Sequence, residues 1–322
     1  MAKRKSLQAR LDELEKLRAH GGAQELVQAL GPILDSGSYA LVAKAAGMIA
    51  DAGLSDLAPA LAAAFDRFLV DPAATDKGCR AKSAIADALR RLWYEDADLF
   101  VVGARHRQLE PVWGGSADTA CPLRVASISA LAEMGYHGTL IVAGDLLADP
   151  EAPVRIGAAH ALGIAEIAQS EALLRLKALL GDEEPAVTQA CFESLLKLNL
   201  EASLEFVARF LDSKDAALVE AAAFAIGGTR TAQAFEVLRA WFDREIVWER
   251  SRTALVGIAL CRHEAAIRFV LEIVEKGSAH QAGDAIRALA VHAPDDKLKG
   301  QAFDAVAKRN DPALEDLVEQ SF

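Results

Sequence analysis

The sequence predicts an all-α protein, a right-handed α-α superhelix of about eight helical hairpins with a helical cap at each end. Three observations carry that prediction. One helix–turn–helix unit recurs along nearly the whole chain. Alanine is abundant, and blocks rich in Val, Ile, Thr and Tyr are missing. Aromatic residues make up only 6% of a chain that is 52% hydrophobic, which suits closely packed helices better than sheets.

The clearest copy of the unit is Asp149-Pro150-Glu151-Ala152-Pro153-Val154-Arg155-Ile156-Gly157-Ala158-Ala159-His160-Ala161-Leu162-Gly163. Asp149-Pro150 stops one helix, because proline lacks a donor and restricts the residue before it. Pro153 fits the first turn of the next, where no donor is needed. Ile156 and Leu162 fill space between helices, and the small residues around them allow close approach. The Ala161-Leu162 pair has counterparts at Met48, Ala84, Ala130, Ser194, Ala225, Ala254 and Ala288. Their spacing is roughly 30–36 residues with one step of about 46, the fixed period of a stacked repeat. Asp-Pro, Val-Arg and Ala-x-Ala-Leu-Gly together resemble the HEAT repeat, in the bacterial subtype also found in phycobilin lyases. The resemblance covers about residues 23–310 and speaks for the fold far more than for an activity.

In order, residues 3–20 read as a charged amphipathic helix, with Leu7, Leu11, Leu14 and Leu17 at helical spacing and Gly21-Gly22 ending it. Residues 1–22 are thus an N-terminal capping helix. Units follow at about 23–53 and 55–93. The third has a first helix near 95–105 and a second starting at Cys121-Pro122, separated by an inserted loop over 106–120. Further units fall at about 139–163, 169–199, 202–228, 232–260 and 264–291. Helices near 296–308 and 312–320 close the chain within a cap over 292–322. The whole of 1–322 is expected to be one domain, because a repeat array grows one continuous core.

Net charge is −11 and the isoelectric point about 5.2. An acidic chain is poorly suited to phosphate backbones, so nucleic acid is not an expected partner. No apolar run reaches the roughly 18 residues a membrane span needs. The basic start Met1-Ala2-Lys3-Arg4-Lys5 lacks the apolar core of a secretory signal. Cys79, Cys121, Cys191 and Cys261 lie far apart, as core residues of a cytoplasmic protein would.

The insert His106-Arg107-Gln108-Leu109-Glu110-Pro111-Val112-Trp113-Gly114-Gly115-Ser116-Ala117-Asp118-Thr119-Ala120 accounts for the long step in the period. Loops of that length in a compact array are uncommon and often functional. Pro111 and Gly114-Gly115 give it a tight, defined path. We read His106, Arg107, Glu110, Trp113 and Asp118 as a binding site for a protein partner of unidentified chemistry. Arg124 and Arg155, at the starts of neighbouring second helices, support it, and His160 lies on the concave side. Trp113 is either a plug into the core or an exposed anchor.

The competing class is an enzyme, with His106, Glu110, Asp118 and Cys121 as a metal or thiol site. The spacing matches no metal pattern, and neither a metal nor another cofactor is expected. Deoxyhypusine hydroxylase, a HEAT-type enzyme, holds two irons with several His-Glu pairs. Here only His263-Glu264 stands, and it is expected on the surface. HEAT-type alkylpurine DNA glycosylases need a cationic groove, whereas Gln189, Glu193, Glu220, Glu249 and Asp284 sit beside Arg155 and Arg252 here. No chromophore-specific motif marks a phycobilin lyase. Trp93-Tyr94, Trp241-Phe242 and Trp248 are expected to pack between adjacent repeats. The function expected is a non-enzymatic scaffold with a concave binding surface.

Overall fold

The computed structural model describes residues 7–20, 22–165 and 167–322. Among these are twenty α-helices and one β-hairpin, so the all-α expectation holds apart from that hairpin. The helices fall into two compact units, Met1–Ile167 and Ala168–Phe322.

In the first unit α1 (Leu7–His20) supplies the described part of the expected N-terminal cap. Residues 1–6 and 21 of that expectation lie outside the described residues. Next come α2 (Ala23–Leu34) and α3 (Tyr39–Asp51), then α4 (Ala58–Leu69), the one-turn α5 (Pro72–Thr75) and α6 (Arg80–Arg91). After α7 (Ala97–Arg105) the strands β1 (Leu109–Val112) and β2 (Gly115–Asp118) lead into α8 (Cys121–Glu133). The unit ends with α9 (Thr139–Leu146) and α10 (Ala152–Ile164). The second helices stack directly, α3 on α6, α6 on α8 and α8 on α10.

The second unit repeats the arrangement. It comprises α11 (Ser170–Leu180) with α12 (Pro185–Leu198), α13 (Leu200–Ala208) with α14 (Ala216–Gly228), and α15 (Ala232–Arg244) with α16 (Trp248–Leu260). Then come α17 (Glu264–Lys276) with α18 (Ala279–Leu289), and α19 (Asp296–Ala307) with α20 (Pro312–Ser321). Here α12, α14, α16, α18 and α20 form the inner stack.

Local chemistry explains these boundaries. Pro122, Pro153, Pro185 and Pro312 sit in the first turns of their helices. Asp96, Asn199, Asp215, Thr231, Asp295 and Asp311 accept the orphan N–H groups that follow them, as good N-caps do. Ser278 and Gln281 complete a reciprocal capping box. His263 caps α17 by accepting from the Ala265 N–H at 3.3 Å, and Glu264 pairs with Arg268 at 2.6 Å. The lone His-Glu pair therefore serves the start of a helix.

The stacks are held by alanine, leucine and glycine. On α14, Ala221, Ala222, Ala223, Ala225 and Ile226 are buried. A Cβ added to Gly227 would collide with the backbone carbonyl of Gly257 on α16. Only glycine permits that approach. Trp241 is buried between helices as expected, at 1% exposure, but Trp93 is 71% exposed. Trp93 stands just past the end of α6 with φ at 55°, and this left-handed residue turns its ring away from the stack. Cys79, Cys191 and Cys261 are buried and Cys121 is half-buried. No helix among the described residues is long and apolar enough to cross a membrane.

Candidate functional site

The insert is a β-hairpin rather than an irregular loop. Leu109 pairs with Asp118, Glu110 with Ala117, Pro111 with Ser116 and Val112 with Gly115. Trp113-Gly114 is the two-residue turn. Gly114 has φ at 88°, a left-handed conformation glycine adopts without steric penalty. Pro111 lacks a donor and is tolerated because a two-stranded sheet consists only of edges. Trp113 at the tip is fully exposed, at 104%, so it plugs nothing, and Leu109 and Val112 are exposed beside it.

The base of the hairpin is anchored by a polar network that reaches into the turns on either side. Asp118 accepts from the N–H groups of Gln108 at 3.2 Å and Ala120 at 3.0 Å, and from Arg124 Nη1 at 2.8 Å. Arg124 also donates to the His106 carbonyl at 2.9 Å and to Asp149 at 3.3 Å. Asp149 in turn accepts from Arg107 at 2.9 Å and from the Glu151 N–H at 2.9 Å. Arg155 donates to the carbonyls of Asp149 and Pro150, both at 2.8 Å. Arg124, Asp149 and Arg155 are buried.

On the other side Glu110 accepts from the Gly78 N–H at 2.6 Å, from Gln108 Nε2 at 2.6 Å and from the Thr119 hydroxyl at 3.1 Å. Buried Gln108 also donates to the Asp76 carbonyl at 2.7 Å. Asp76 caps α6, accepting from the N–H groups of Ala81 and Lys82 and from Lys82 Nζ at 3.0 Å. Lys82 Nζ donates as well to the Phe68 carbonyl at 3.2 Å. Both side chains of this pair are fully buried, where an ion pair survives only with its remaining donors and acceptors satisfied.

The structure thus brings His106, Arg107, Glu110, Asp118, Arg124 and Arg155 together at one hairpin base, with Trp113 at its tip. His160 is exposed on α10, more than a turn beyond Arg155. Asp76, Lys82, Gln108, Thr119 and Asp149 complete the network and are missing from the sequence-based set. One signal for Asp149 is available in the sequence, since an Asp-Pro turn offers its carboxylate to whatever flanks it. Nothing local marks Lys82 as inward-facing.

The electrostatics of the hairpin base follow from the same network. Burial disfavours the Asp118 carboxylate, yet the N–H groups of Ala120 and Gln108 and the Arg124 guanidinium outweigh it and hold its pKa below the ordinary value. The hydrogen bond from Gln108 does the same for Glu110, helped by Gly78 and Thr119. Burial lowers the His106 pKa. It raises that of the Cys121 thiol against the pull of Arg124, opposite to an activated nucleophile. Among the described residues no group of three or more His, Cys, Asp or Glu is placed to hold a metal ion.

Fold and hairpin together define an α-helical repeat protein. Residues 142–227 match the family model described as HEAT repeats. No curated protein sequence matches the chain. Similar solved structures include the complex of CpcE and CpcF of phycocyanin lyase from Nostoc sp., at 18% identity over 74% of this chain and 89% of that one, TM-score 0.37. Kap121p bound to Pho4p is 11% identical over 99% of this chain and 44% of that one, TM-score 0.45. Human deoxyhypusine hydroxylase in complex with glycerol is 16% identical over 81% of this chain and 92% of that one, TM-score 0.31. These likenesses concern helical architecture and not activity.

Proposed function

We propose that the chain is a non-enzymatic interaction scaffold, and that the hairpin bearing Trp113 is where it contacts a protein partner. One observation carries the reading: a fully exposed tryptophan stands at the tip of a hairpin whose base is fixed by buried ion pairs. Tryptophan is enriched among the residues that dominate binding energy. A pre-ordered loop loses little entropy on association, which leaves more of the contact energy for affinity. Leu109 and Val112 widen the apolar contact. Arg107 is about half exposed while bonded to Asp149 and gives the contact a charged rim. Arg124 and Arg155 hold the turns beneath and do not reach the partner.

Site-specific photocrosslinking tests this. A benzoylphenylalanine replaces Trp113 in the native cell, and a control variant carries it at exposed Glu236. The reading expects one discrete adduct from position 113 and none from position 236. Indistinguishable smears from both positions would overturn it.

A further inference from the structure

At the opposite end of α6 from the hairpin lies a pocket of about 270 Å³ lined by Arg90, Trp93, Tyr94, Glu95, Phe100 and Glu133. Helix geometry puts the two places about 20 Å apart. The pocket is smaller than the roughly 300–1,000 Å³ typical of small-molecule sites and matches one side chain better than a cofactor.

Trp93 occupies a cap position that glycine fills after α3 and α8, at Gly53 and Gly135. Three successive second helices end in the same hydrogen-bonded cap. The residue after the left-handed position bonds back five residues, Leu54 to Ile49, Tyr94 to Leu89 and Tyr136 to Leu131, each at 3.0 Å. The left-handed residue itself bonds back three, Gly53 to Ala50, Trp93 to Arg90 and Gly135 to Ala132. Two of the three caps use glycine, which suits that conformation. The third places a bulky aromatic in it, at φ 55°, and leaves the ring exposed. Neither cap geometry nor core packing accounts for tryptophan at that position.

The charges around the ring point to its occupant. Arg90 is taken by Asp87 at 3.0 Å and Glu133 at 2.7 Å, and Arg91 by Asp51 at 2.8 Å. The Glu95 carboxylate is exposed and makes no hydrogen bond or ion pair with the described residues. Trp248, a partly exposed tryptophan at the start of α16, already carries a cation, with the Arg252 guanidinium 5.6 Å from its ring centroid. No cation of the described residues stands over Trp93. An exposed aromatic face beside an unpaired carboxylate, on a chain of net charge −11, is complementary to a cation. A guanidinium is more weakly hydrated than an ammonium and stacks on aromatic faces.

We propose that this pocket receives a single arginine side chain from a protein partner, stacked on Trp93 and paired with Glu95. The proposal rests on the scaffold reading but uses a different surface from the hairpin. Its test therefore fails or succeeds independently of Trp113.

The full chain is labelled with 5-fluorotryptophan, and its fluorine resonances are assigned with single tryptophan variants. It is titrated with a nine-residue Gly-Ser peptide bearing one central arginine, and with the same peptide bearing citrulline. The arginine peptide is expected to shift the Trp93 resonance saturably and to leave those of Trp113 and Trp241 in place. The citrulline peptide is expected to shift nothing. Glu95→Gln should weaken the arginine response at least threefold. Trp93→Gly should abolish binding, seen by calorimetry, while melting at or above the wild-type temperature, since glycine suits the cap better. An unmoved Trp93 resonance overturns the proposal. So does an equal response to citrulline, or parallel shifts at Trp113 that mark non-specific attraction. Self-association that Trp93→Gly abolishes would assign the ring to a second copy of the chain, and would overturn it too.

Discussion

Arg124 on α8 and Asp149 in the turn before α10 are paired across two successive repeats, Nε to Oδ2 at 3.2 Å, with side-chain exposures of 1% and 0%. Arg124 holds Asp118 at the same time, so one guanidinium ties the hairpin base to the next repeat. Removing one partner of a buried pair leaves an uncompensated charge, at a cost of about 3–5 kcal/mol. Arg124→Ala is therefore expected to lower the urea midpoint markedly, and Asp149→Ala to do nearly the same. The double variant should cost much less than the sum of the two, as coupled groups do. Additive losses in the urea titrations would show that the pair is not coupled.

Acid should loosen the hairpin base. The Asp118 pKa is held below its ordinary value in the folded chain. Its stabilising contribution is therefore complete above the unfolded carboxylate pKa of about 4 and disappears as pH falls through the depressed folded value. Thermal melting from about pH 6 down to about pH 3 should decline more steeply for the wild type than for Asp118→Asn, which starts lower and has lost this dependence. Parallel curves would contradict the assignment.

Cys121 separates the scaffold reading from a thiol enzyme. Its thiol pKa is raised by burial, so thiolate is scarce at neutral pH. Reaction with a maleimide at pH 7 should be slower than that of a free cysteine and should climb through pH 9. Cys79 is pushed to about 11, and Cys191 and Cys261 to about 12. These three are expected to react only after unfolding. A fast Cys121 with a midpoint well below 8 would favour the enzyme.

The inner stack of the second unit has its own test. Gly227→Ala forces a methyl group against the Gly257 carbonyl, and overpacking of this kind costs about 1–3 kcal/mol. Gly228→Ala, one residue on, meets open space and should melt near the wild type. Equal melting of both variants would mean that α14 and α16 stand further apart.

Helices were legible in the sequence because their stops are chemical. Asp149-Pro150 marks the turn between α9, which ends at Leu146, and α10, which begins at Ala152. The β-hairpin was not legible, because its strands are only four residues long and Pro111, Gly114 and Gly115 read as loop. His106, Arg107, Glu110 and Asp118 stood out as an unusual density of polar groups, but sequence does not reveal that Asp149 and Asp76 converge on them from neighbouring turns. Trp93 reads as core because large aromatics usually pack. Aligning it with Gly53 and Gly135 in the other caps would have singled it out.

The central claim is that Trp113 is exposed for recognition and contributes nothing to the fold. The most direct measurement pairs affinity purification from the native cell, wild type against Trp113→Ala, with melting of both proteins. The account predicts one partner enriched by the wild type, lost with the variant and recovered in a titration of the purified pair, at unchanged melting temperatures. A variant that keeps the partner contradicts it. So does a variant that melts several degrees lower, the signature of a buried aromatic worth about 3–5 kcal/mol.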